Sequence, residues 1–488
     1  MICAYCLKYG TRACPRHDPS IDDPTLTNAP TAETCKKFSP RPLKPRFFVE
    51  LPDGRLAETV ISGEFPCYAV YNPKNGEVEM AYYADKYRPK TEWDVGKGII
   101  EKSITLPTGV EDYGDIKRLI NEVDAFIRKY VDFNDPSYYT IATYYVLFSW
   151  VYDRFWDLCY LRLRGNKGSG KSRALSIIGR ICYRPTDIAG AVTSAALYRI
   201  VDMSKGTVLI DEADKGSSEY WNDIVKVLNL GTIRGGTVIR CRTDDPSKFE
   251  AFDVFSPKII AMRGVFDDDA LESRLVNILM FESKKMPAHI DWYRVQKEQE
   301  SLRNKLLMFR FEKWHKIDLK QCQEYEKLIP QTVEPRVRQV LVPLLSIIED
   351  RNELDEMIEF TIKYAEELKE QRSESIEGQV AQAIADLMAI QKEVFTDDLL
   401  LHINQSLSTY EQLTPQRLGK ILKKMTVHTI RVRHGRNRGR RKISMHNLDL
   451  VFANYGVIIP NGTSGTNTGG RGKGGNSIFN VKGGKLHV

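Results

Sequence analysis

The feature that most constrains the fold of this 488-residue chain is the octapeptide at residues 165–172, which matches the pattern G-x-x-x-x-G-K-[ST]. A strand-like run, 160–164, precedes it, and an apolar helical run, 174–181, follows it. Glycines let backbone N–H groups turn inward around phosphate oxygens, and the amino end of a helix adds partial positive charge. The sequence therefore predicts a loop that binds a nucleoside triphosphate; the alternative is a glycine-rich turn that matches by chance. The predicted nucleotide-binding residues are Gly165, Asn166, Lys167, Gly168, Ser169, Gly170, Lys171 and Ser172.

Two acids follow the apolar run 208–210, at Asp211 and Glu212. A carboxylate at the end of a buried strand beside the loop can hold Mg²⁺ through water, and a second can orient the attacking water. We expect Lys171 to neutralise the β- and γ-phosphates, Ser172 and Asp211 to hold Mg²⁺, and Glu212 to be the general base. Either acid alone also fits a solvated residue at a strand end.

The composition, 42% hydrophobic and 28% charged, is typical of globular proteins and excludes a wholly disordered chain. Short β-branched runs alternate with helical patterns from 160 to 281, which predicts an α/β fold with a parallel sheet flanked by helices. The predicted ranges are 1–19, a zinc-binding knuckle; 20–45, a Pro-rich linker; 46–137, an N-terminal α+β lobe that is rich in strands; 138–287, a P-loop ATPase core; 288–372, an all-α lid; 375–458, a C-terminal winged helix; and 459–488, a Gly-rich flexible tail.

The cysteine content and the N-terminus bear on the compartment. Nine cysteines in 488 residues, with no leader pattern at the start, predict a reducing, cytoplasmic setting. The longest uncharged apolar run, 138–152, is too short to span a bilayer comfortably, so we interpret it as a buried helix and expect no membrane partner. The spacing of Cys3, Cys6, Cys14 and His17 suits a tetrahedral Zn²⁺ site; the alternative is a tail with free thiols.

These motifs resemble those of P-loop ATPases of the AAA+ class. The resemblance covers about residues 138–345 and is nearest to ring-forming helicases and helicase-like ATPases of plasmids, viruses and integrated elements, with MCM-like proteins more distant. It implies that the strand predicted over 258–263 carries sensor 1, that Arg274 is a trans-acting arginine finger, and that Arg336 is a sensor 2 arginine. A finger that reaches a neighbour's nucleotide implies a ring, which we expect to be a hexamer. Arg274 also fits a strand-edge ion pair, and Arg336 a solvated helix face.

A further basic stretch lies between the two acids and the sensor 1 strand. Two β-branched runs flank Gly235-Gly236, which predicts a hairpin with a tight turn at these glycines. It carries Arg234, Arg240 and Arg242. The resemblance implies that this is the pre-sensor 1 hairpin, which contacts single-stranded DNA in the ring channel; the alternative is an ordinary hairpin with solvated arginines.

The positive charge of the chain is concentrated near its C-terminal end. Residues 431–442 hold six Arg, one Lys and no acid, which equals the formal net charge of +7. Three helical runs and two short strands make a winged helix plausible, with a third helix starting at Thr414-Pro415 and a basic loop that grips duplex DNA. The alternative is a winged helix that contacts proteins. The predicted DNA contacts are Lys423, Lys424, Arg431, Arg433, Arg436, Arg438, Arg440, Arg441 and Lys442.

Taken together, the motifs predict a DNA-stimulated motor that hydrolyses ATP with Mg²⁺, in the manner of a replication helicase of a mobile genetic element. Two alternatives stay open at this point. One is an AAA+ ATPase that remodels complexes without unwinding DNA. The other is a DNA-binding regulator or origin-recognition factor that ATP switches.

Overall fold

A computed structural model describes residues 43–457, except 64, 97, 189–191, 212–218, 267, 284, 408–411 and 434–438. The chain divides into two compact units between residues 365 and 366. No helix in the described ranges is long and apolar enough to cross a membrane. Those ranges also contain no cluster of three or more His, Cys, Asp or Glu that could hold a metal ion. The predicted residues that lie outside the described part are Cys3, Cys6, Cys14, His17, Glu212, Arg436 and Arg438.

Six short strands begin the described chain. They are β1 Lys44–Arg46, β2 Phe48–Glu50, β3 Leu56–Ser62, β4 Phe65–Tyr71, β5 Val78–Ala81 and β6 Tyr87–Pro89. Strand β1 pairs with β6 in parallel, and the other four form an antiparallel sheet in the order β2-β3-β4-β5. One face of this sheet packs a small apolar core that includes Tyr68 and Val70.

A five-stranded parallel sheet forms the centre of the first unit. The next strands of the chain are β7 Tyr160–Arg164, β8 Thr186–Ile188, β9 Val208–Ile210, β10 Thr237–Cys241, β11 Phe249–Asp253, β12 Lys258–Met262 and β13 Leu275–Leu279. The sheet order is β13-β7-β12-β9-β8, and every pair is parallel. The connection leaving β7 runs to β8 at one edge, whereas the connection leaving β12 runs to β13 on the other side of β7. Because adjacent connections diverge, the carboxyl ends of β7 and β12 frame the crevice where such sheets bind ligands.

Helices surround this sheet. Those of the first unit are α1 Glu92–Val95, α2 Ile99–Lys102, α3 Ile116–Tyr130, α4 Ser137–Val151, α5 Lys171–Gly179, α6 Ser194–Ser204, α7 Glu219–Leu230, α8 Asp269–Glu272, α9 Trp292–Lys313, α10 Leu319–Leu328, α11 Pro335–Leu345 and α12 Arg351–Glu374, which continues past the division. Helix α5 packs on β7 and β12, and α4 packs against α3, α5 and α9. Helix α4 has no charged residue and is buried almost throughout, so the buried helix predicted there is confirmed.

The hairpin of the first unit differs from the one predicted. Strands β10 and β11 pair antiparallel, and residues 242–248 connect them. The predicted tight turn at Gly235-Gly236 is therefore wrong. Those glycines turn the chain out of α7 instead: Gly235 has φ +84°, and a Cβ on Gly236 would clash with the carbonyl oxygen of Leu230. The true hairpin connection is held by Asp245, whose carboxylate accepts a hydrogen bond of 3.1 Å from Ser247 N.

The second unit combines helices with a small sheet. Its elements after α12 are α13 Ile376–Ile390, α14 Thr396–Ser406, α15 Pro415–Lys424, β14 Thr429–Arg431, β15 Arg441–Ile443 and α16 Leu448–Asn454. Helix α15 begins as predicted, because Thr414 Oγ1 accepts a hydrogen bond from Arg417 N and Pro415 occupies the first turn. Strands β14 and β15 pair antiparallel. An apolar core that includes Ile384 and Leu418 lies between the helices.

Candidate functional site

The loop at residues 165–172, called the phosphate loop below, joins the carboxyl end of β7 to the amino end of α5. Gly168 and Gly170 both have φ +84°, a region that residues with a side chain rarely adopt. A Cβ on Gly165 would clash with the carbonyl oxygen of Met280 and would lie 2.6 Å from Ser169 Oγ. The backbone path therefore requires the glycines of the motif, and the loop has the strand-loop-helix setting that phosphate binding needs.

The donors of the phosphate loop suit an anion. Lys171 opens α5, and its Nζ donates hydrogen bonds of 2.7 Å to the carbonyl oxygens of both Gly165 and Asn166. Ser169 is 5% exposed, and its Oγ has no hydrogen-bond partner in the described part of the chain. A buried hydroxyl and the first N–H groups of a helix are donors that a phosphate oxygen can satisfy. By this criterion the loop fits a nucleotide phosphate.

Asp211 lies at the same edge of the sheet as the phosphate loop. It follows β9, which only β12 separates from β7. The register places Ile210 beside Ile260, and Ile260 beside Arg162. Two strand spacings put the Asp211 backbone about 10 Å from β7. A carboxylate at that distance can reach a metal ion held on the phosphates but not the loop itself.

Strand β12, the strand predicted to carry sensor 1, lies directly beside β7. Its last residue, Met262, is 2% exposed, and its carbonyl oxygen accepts a hydrogen bond of 3.3 Å from Gly165 N. Its Sδ lies 4.0 Å from Nη1 of Arg162. Arg162 is 1% exposed and binds the Glu272 carboxylate and Asn277 Oδ1. Sequence reasoning missed this buried arginine, although an arginine inside an apolar alternating strand is the kind of signal that could have found it.

Two predicted arginines come together at the opposite edge of the sheet. Arg274 immediately precedes β13, and its carbonyl oxygen accepts a hydrogen bond from Tyr160 N at the start of β7. Its guanidinium donates to Asn229 Oδ1 at 3.2 Å, and its Nε is buried without a partner among the described residues. Burial and, next, the charge of Arg336 lower the pKa of Arg274. The positive charge of Arg336 therefore lies near enough to Arg274 to disfavour its charged form.

The carboxylate of Asp157 completes this arginine cluster. Arg336 donates to Gln339 Oε1 at 2.7 Å, and Gln339 donates to Asp157 Oδ1 at 2.8 Å. Burial raises the pKa of Asp157, while Gln339 and the two arginines act in the other direction. Along β7, five residues separate this cluster from the phosphate loop, which is about 16 Å. The two arginines thus lie far from the phosphate loop of their own chain.

The three arginines assigned to the hairpin lie in different surroundings. Arg234 precedes the hairpin and donates to the carbonyl oxygens of Phe155 and Asp153. Arg240 lies on β10, with its guanidinium 5.6 Å from the centre of the Tyr198 ring. Arg242 starts the connection and forms an ion pair with Asp244. Only Arg240 and Arg242 therefore belong to the hairpin itself.

The hairpin also presents an apolar face that the sequence reasoning missed. Ile239 is 63% exposed and Phe249 is 71% exposed. They lie on alternating strand positions that point to the same side, because Ile239 pairs with Ala251 and Phe249 with Cys241.

The predicted DNA contacts of the second unit that lie in the described ranges fall into two groups. Some already have acidic partners: Arg440 pairs with Asp397 and Asp398, Lys442 with Glu393, and Lys424 with Glu377. Others form no ion pair with any residue in the described ranges, namely Lys423, Arg431, Arg433 and Arg441. The second group is the one whose charge is available to a polyanion.

No protein-family model and no curated protein matches the sequence. Solved structures similar to the chain include the NrS-1 C-terminal region (13% identity, TM-score 0.35, covering 79% of this chain and 95% of that one). Another is the SCCmec type IV Cch active helicase, with 10% identity and a TM-score of 0.44, covering 86% of this chain and 82% of that one. A third is the JCV helicase, with 15% identity and a TM-score of 0.24, covering 44% of this chain and 64% of that one. Two of these three solved structures are helicases.

Proposed function

We propose that the chain is a ring-forming motor that hydrolyses ATP, acts on DNA and unwinds it, as a replication helicase of a mobile genetic element does. The observation that carries the proposal is the phosphate loop. Its glycines have the backbone conformation that the motif demands, and Lys171 is held over it. It opens at the carboxyl ends of β7 and β12, with Asp211 at the same edge of the sheet.

Each residue of the site has a role in this proposal. Lys171 would exchange its hydrogen bonds to the Gly165 and Asn166 carbonyl oxygens for bonds to phosphate oxygens. Ser172 and Asp211 would hold Mg²⁺, and Glu212, the next residue along the chain, would orient water and accept its proton. Bound ATP and Mg²⁺ supply the phosphoryl group and neutralise its charge. The backbone N–H groups of the phosphate loop would fix the phosphates in place.

The arginine cluster supports assembly into a ring. Arg274 and Arg336 lie about 16 Å along β7 from their own phosphate loop, which is farther than an arginine side chain extends. A head-to-tail contact between copies would place this edge of one subunit against the carboxyl edge of the next, and such contacts close into rings. We therefore assign both arginines to the neighbour's nucleotide. For Arg336 this differs from a sensor 2 arginine that contacts the nucleotide of its own chain.

The second unit supports the DNA-binding part of the proposal. Helix α15 follows two other helices and precedes the strand pair β14–β15, which is the order of a winged helix. Lys423 on α15 and Arg431 on β14 keep their charges free of acidic partners among the described residues. We propose that this face binds duplex DNA, while Arg240 and Arg242 of the hairpin contact a single strand.

ATPase and strand-displacement assays, with and without single-stranded DNA, test the proposal. Wild type should show turnover that DNA stimulates, together with displacement of the annealed strand. Lys171→Ala should lower hydrolysis by about 10²-fold or more, because a preorganised charge on the phosphates is lost. The matched control is Lys226→Ala, since Lys226 is an exposed lysine on α7 paired with Asp223. Stimulated hydrolysis without displacement would favour a remodelling ATPase, and nucleotide-dependent footprinting at one site without displacement would favour a regulator.

A further inference from the structure

A second group of cations surrounds a cavity at the amino edge of the central sheet. The cavity has a volume of about 470 Å³, within the range of ligand pockets. Arg184, Lys205 and Asp253, which lie shortly before β8, β9 and β12, line one side. Arg46 on β1 and Lys90 after β6 line the other. Because the phosphate loop opens at the carboxyl edge, this basic cavity is separate from it.

Two of the five cations that line the basic cavity have carboxylate partners. Arg184 is paired with the fully buried Glu58, and Lys205 is paired with Asp202 and Asp253. These pairs leave little positive charge from Arg184 and Lys205 to attract a ligand.

The side-chain hydrogen bonds of the other three cations in the described chain all go to carbonyl oxygens. Arg46 Nη1 donates to Pro45 O at 3.0 Å, and Lys90 Nζ donates to Met203 O at 2.9 Å. Arg234 donates to Phe155 O at 2.9 Å and to Asp153 O. A third carboxylate that lines the cavity besides Asp202 and Asp253, that of Asp153, is bound through both oxygens by Arg310. None of these three cations forms an ion pair with a described residue. Together with Arg310, the five lining cations meet only four carboxylates, Glu58, Asp153, Asp202 and Asp253, so the cavity keeps a net positive charge that an anion would stabilise.

The charges around Lys90 affect its protonation. Burial, together with the positive charges of Arg184 and Arg46, lowers the pKa of Lys90 to about 8. Asp202 acts in the opposite direction, and Lys205 adds to the lowering. The ring of Phe47 lies 5.1 Å from the ammonium. An anion in the basic cavity would favour the charged amine and raise this pKa again.

The walls of the basic cavity indicate which part of a ligand it takes. Five aromatic rings contribute to it, and Phe47, Tyr152, Tyr183 and Phe255 are each less than 10% exposed. The fifth, Phe48, is half-buried, and its ring packs against Trp314 and the Arg310 guanidinium. Their faces are not available for a base to stack on, in contrast to sites that bind single strands by stacking. Lysine and arginine side chains are the usual partners of phosphate oxygens. The chemistry thus matches a phosphate group rather than a nucleobase.

We propose that the basic cavity is a second phosphate-binding site, formed by Arg46, Lys90 and Arg234. Arg234 lies in the turn that leads into β10. A phosphate bound here therefore links the strands β1 and β6 to the base of the β10–β11 hairpin. The phosphate group belongs either to a nucleic-acid strand or to a free anion, and the test below separates these sources.

The test measures how fast the Lys90 amine is acetylated, read by mass spectrometry at pH 8 without ATP or Mg²⁺. If a phosphate raises the pKa of Lys90 by one unit, the neutral fraction at pH 8 falls about fivefold, and so does the rate. Three samples are compared at equal ionic strength: chloride alone, inorganic phosphate, and single-stranded oligothymidylate. Lys44, an exposed lysine on β1, is the internal control and should react equally in all three.

Protection of Lys90 by inorganic phosphate supports the site and identifies a free anion as sufficient. Protection by the oligonucleotide alone supports it and identifies a strand as the source. Equal labelling in all three samples overturns the proposal. Arg46→Gln should abolish the protection while Lys44→Gln preserves it; both residues lie on β1, so a loss in both variants also overturns it. Lys171→Ala should keep the protection, which separates this test from the ATPase proposal.

Discussion

The buried charges between α9 and the N-terminal strands offer a quantitative test of the first unit. Arg310 is completely buried, and its guanidinium binds both oxygens of Asp153, at 2.9 and 2.7 Å. Its Nε lies 3.5 Å from Oε2 of Glu58, which is also completely buried and pairs with Arg184. Trp314 Nε1 donates to the same Asp153 at 3.1 Å. This network joins β3, the turn after α4, and α9.

The perturbation is Arg310→Met, which keeps much of the side-chain volume and removes the charge. Asp153 then retains only the Trp314 hydrogen bond among these contacts, and Glu58 retains Arg184. Removing one partner of a buried ion pair leaves an uncompensated charge, so we expect the free energy of unfolding to fall by about 3–5 kcal/mol. The double variant Arg310→Met, Asp153→Asn should lose less free energy of unfolding than the two single variants lose in sum, because the second substitution removes the unpaired buried carboxylate.

Denaturant titration followed by tryptophan fluorescence measures this effect. All six tryptophans of the sequence precede residue 315, so the signal reports the first unit alone. Arg118→Met is the matched control: Arg118 is an arginine of α3 that is 64% exposed and pairs with Glu122 four residues on. Such a pair contributes about 0.3–0.5 kcal/mol. If Arg310→Met were no more destabilising than this control, the charges would not be sequestered as described.

Three further predictions concern the site. Mixing equal amounts of Lys171→Ala and Arg274→Ala chains should restore about a quarter of the wild-type ATPase activity. In a random mixture, a quarter of the interfaces join an intact phosphate loop to an intact Arg274 of the neighbouring subunit. No recovery of activity would show that Arg274 does not act on the neighbour's nucleotide. Arg431→Ala should reduce the slope of log DNA affinity against log salt concentration by about 0.9. Arg440→Ala removes a charge that is already paired, so it should change this slope little. Equal effects of the two substitutions would contradict the assignment of Arg431 as a DNA contact. Glu212→Gln should preserve ATP binding and stop turnover, as measured by equilibrium binding and phosphate release, and normal turnover would exclude it as the base.

Features that depend on neighbours in sequence are the ones that sequence reasoning predicts well. The phosphate loop follows an alternating strand and precedes a helix. The local sequence of residues 160–179 is therefore enough to predict the strand, the loop and the helix. Helix α4 could be predicted because its fifteen residues are apolar on all sides and carry no charge, which is typical of a buried helix. Thr414 and Pro415 likewise mark the start of α15 through capping chemistry alone.

Features that depend on distant parts of the chain could not be predicted in this way. The pair Gly235-Gly236 has the composition of a hairpin turn, yet the close approach of Gly236 to the end of α7 is a tertiary contact. Arg274 and Arg336 are far apart in sequence. The pairing of β13 with β7 and the hydrogen bond from Gln339 of α11 to Asp157 bring them to one edge of the sheet. The basic cavity likewise joins Arg46 to Arg234 through tertiary packing.

Equilibrium binding of ATP, in the presence of Mg²⁺, to the wild-type chain and to Lys171→Ala tests the central assignment most directly. Calorimetry on the full chain, with Lys226→Ala as the matched lysine variant, separates loss of the site from general loss of charge. The phosphate-loop assignment predicts that wild type and Lys226→Ala bind with the same affinity and that Lys171→Ala loses measurable binding. Undiminished binding by Lys171→Ala would contradict it, because the nucleotide would then be held at a place other than the glycine-lined end of β7.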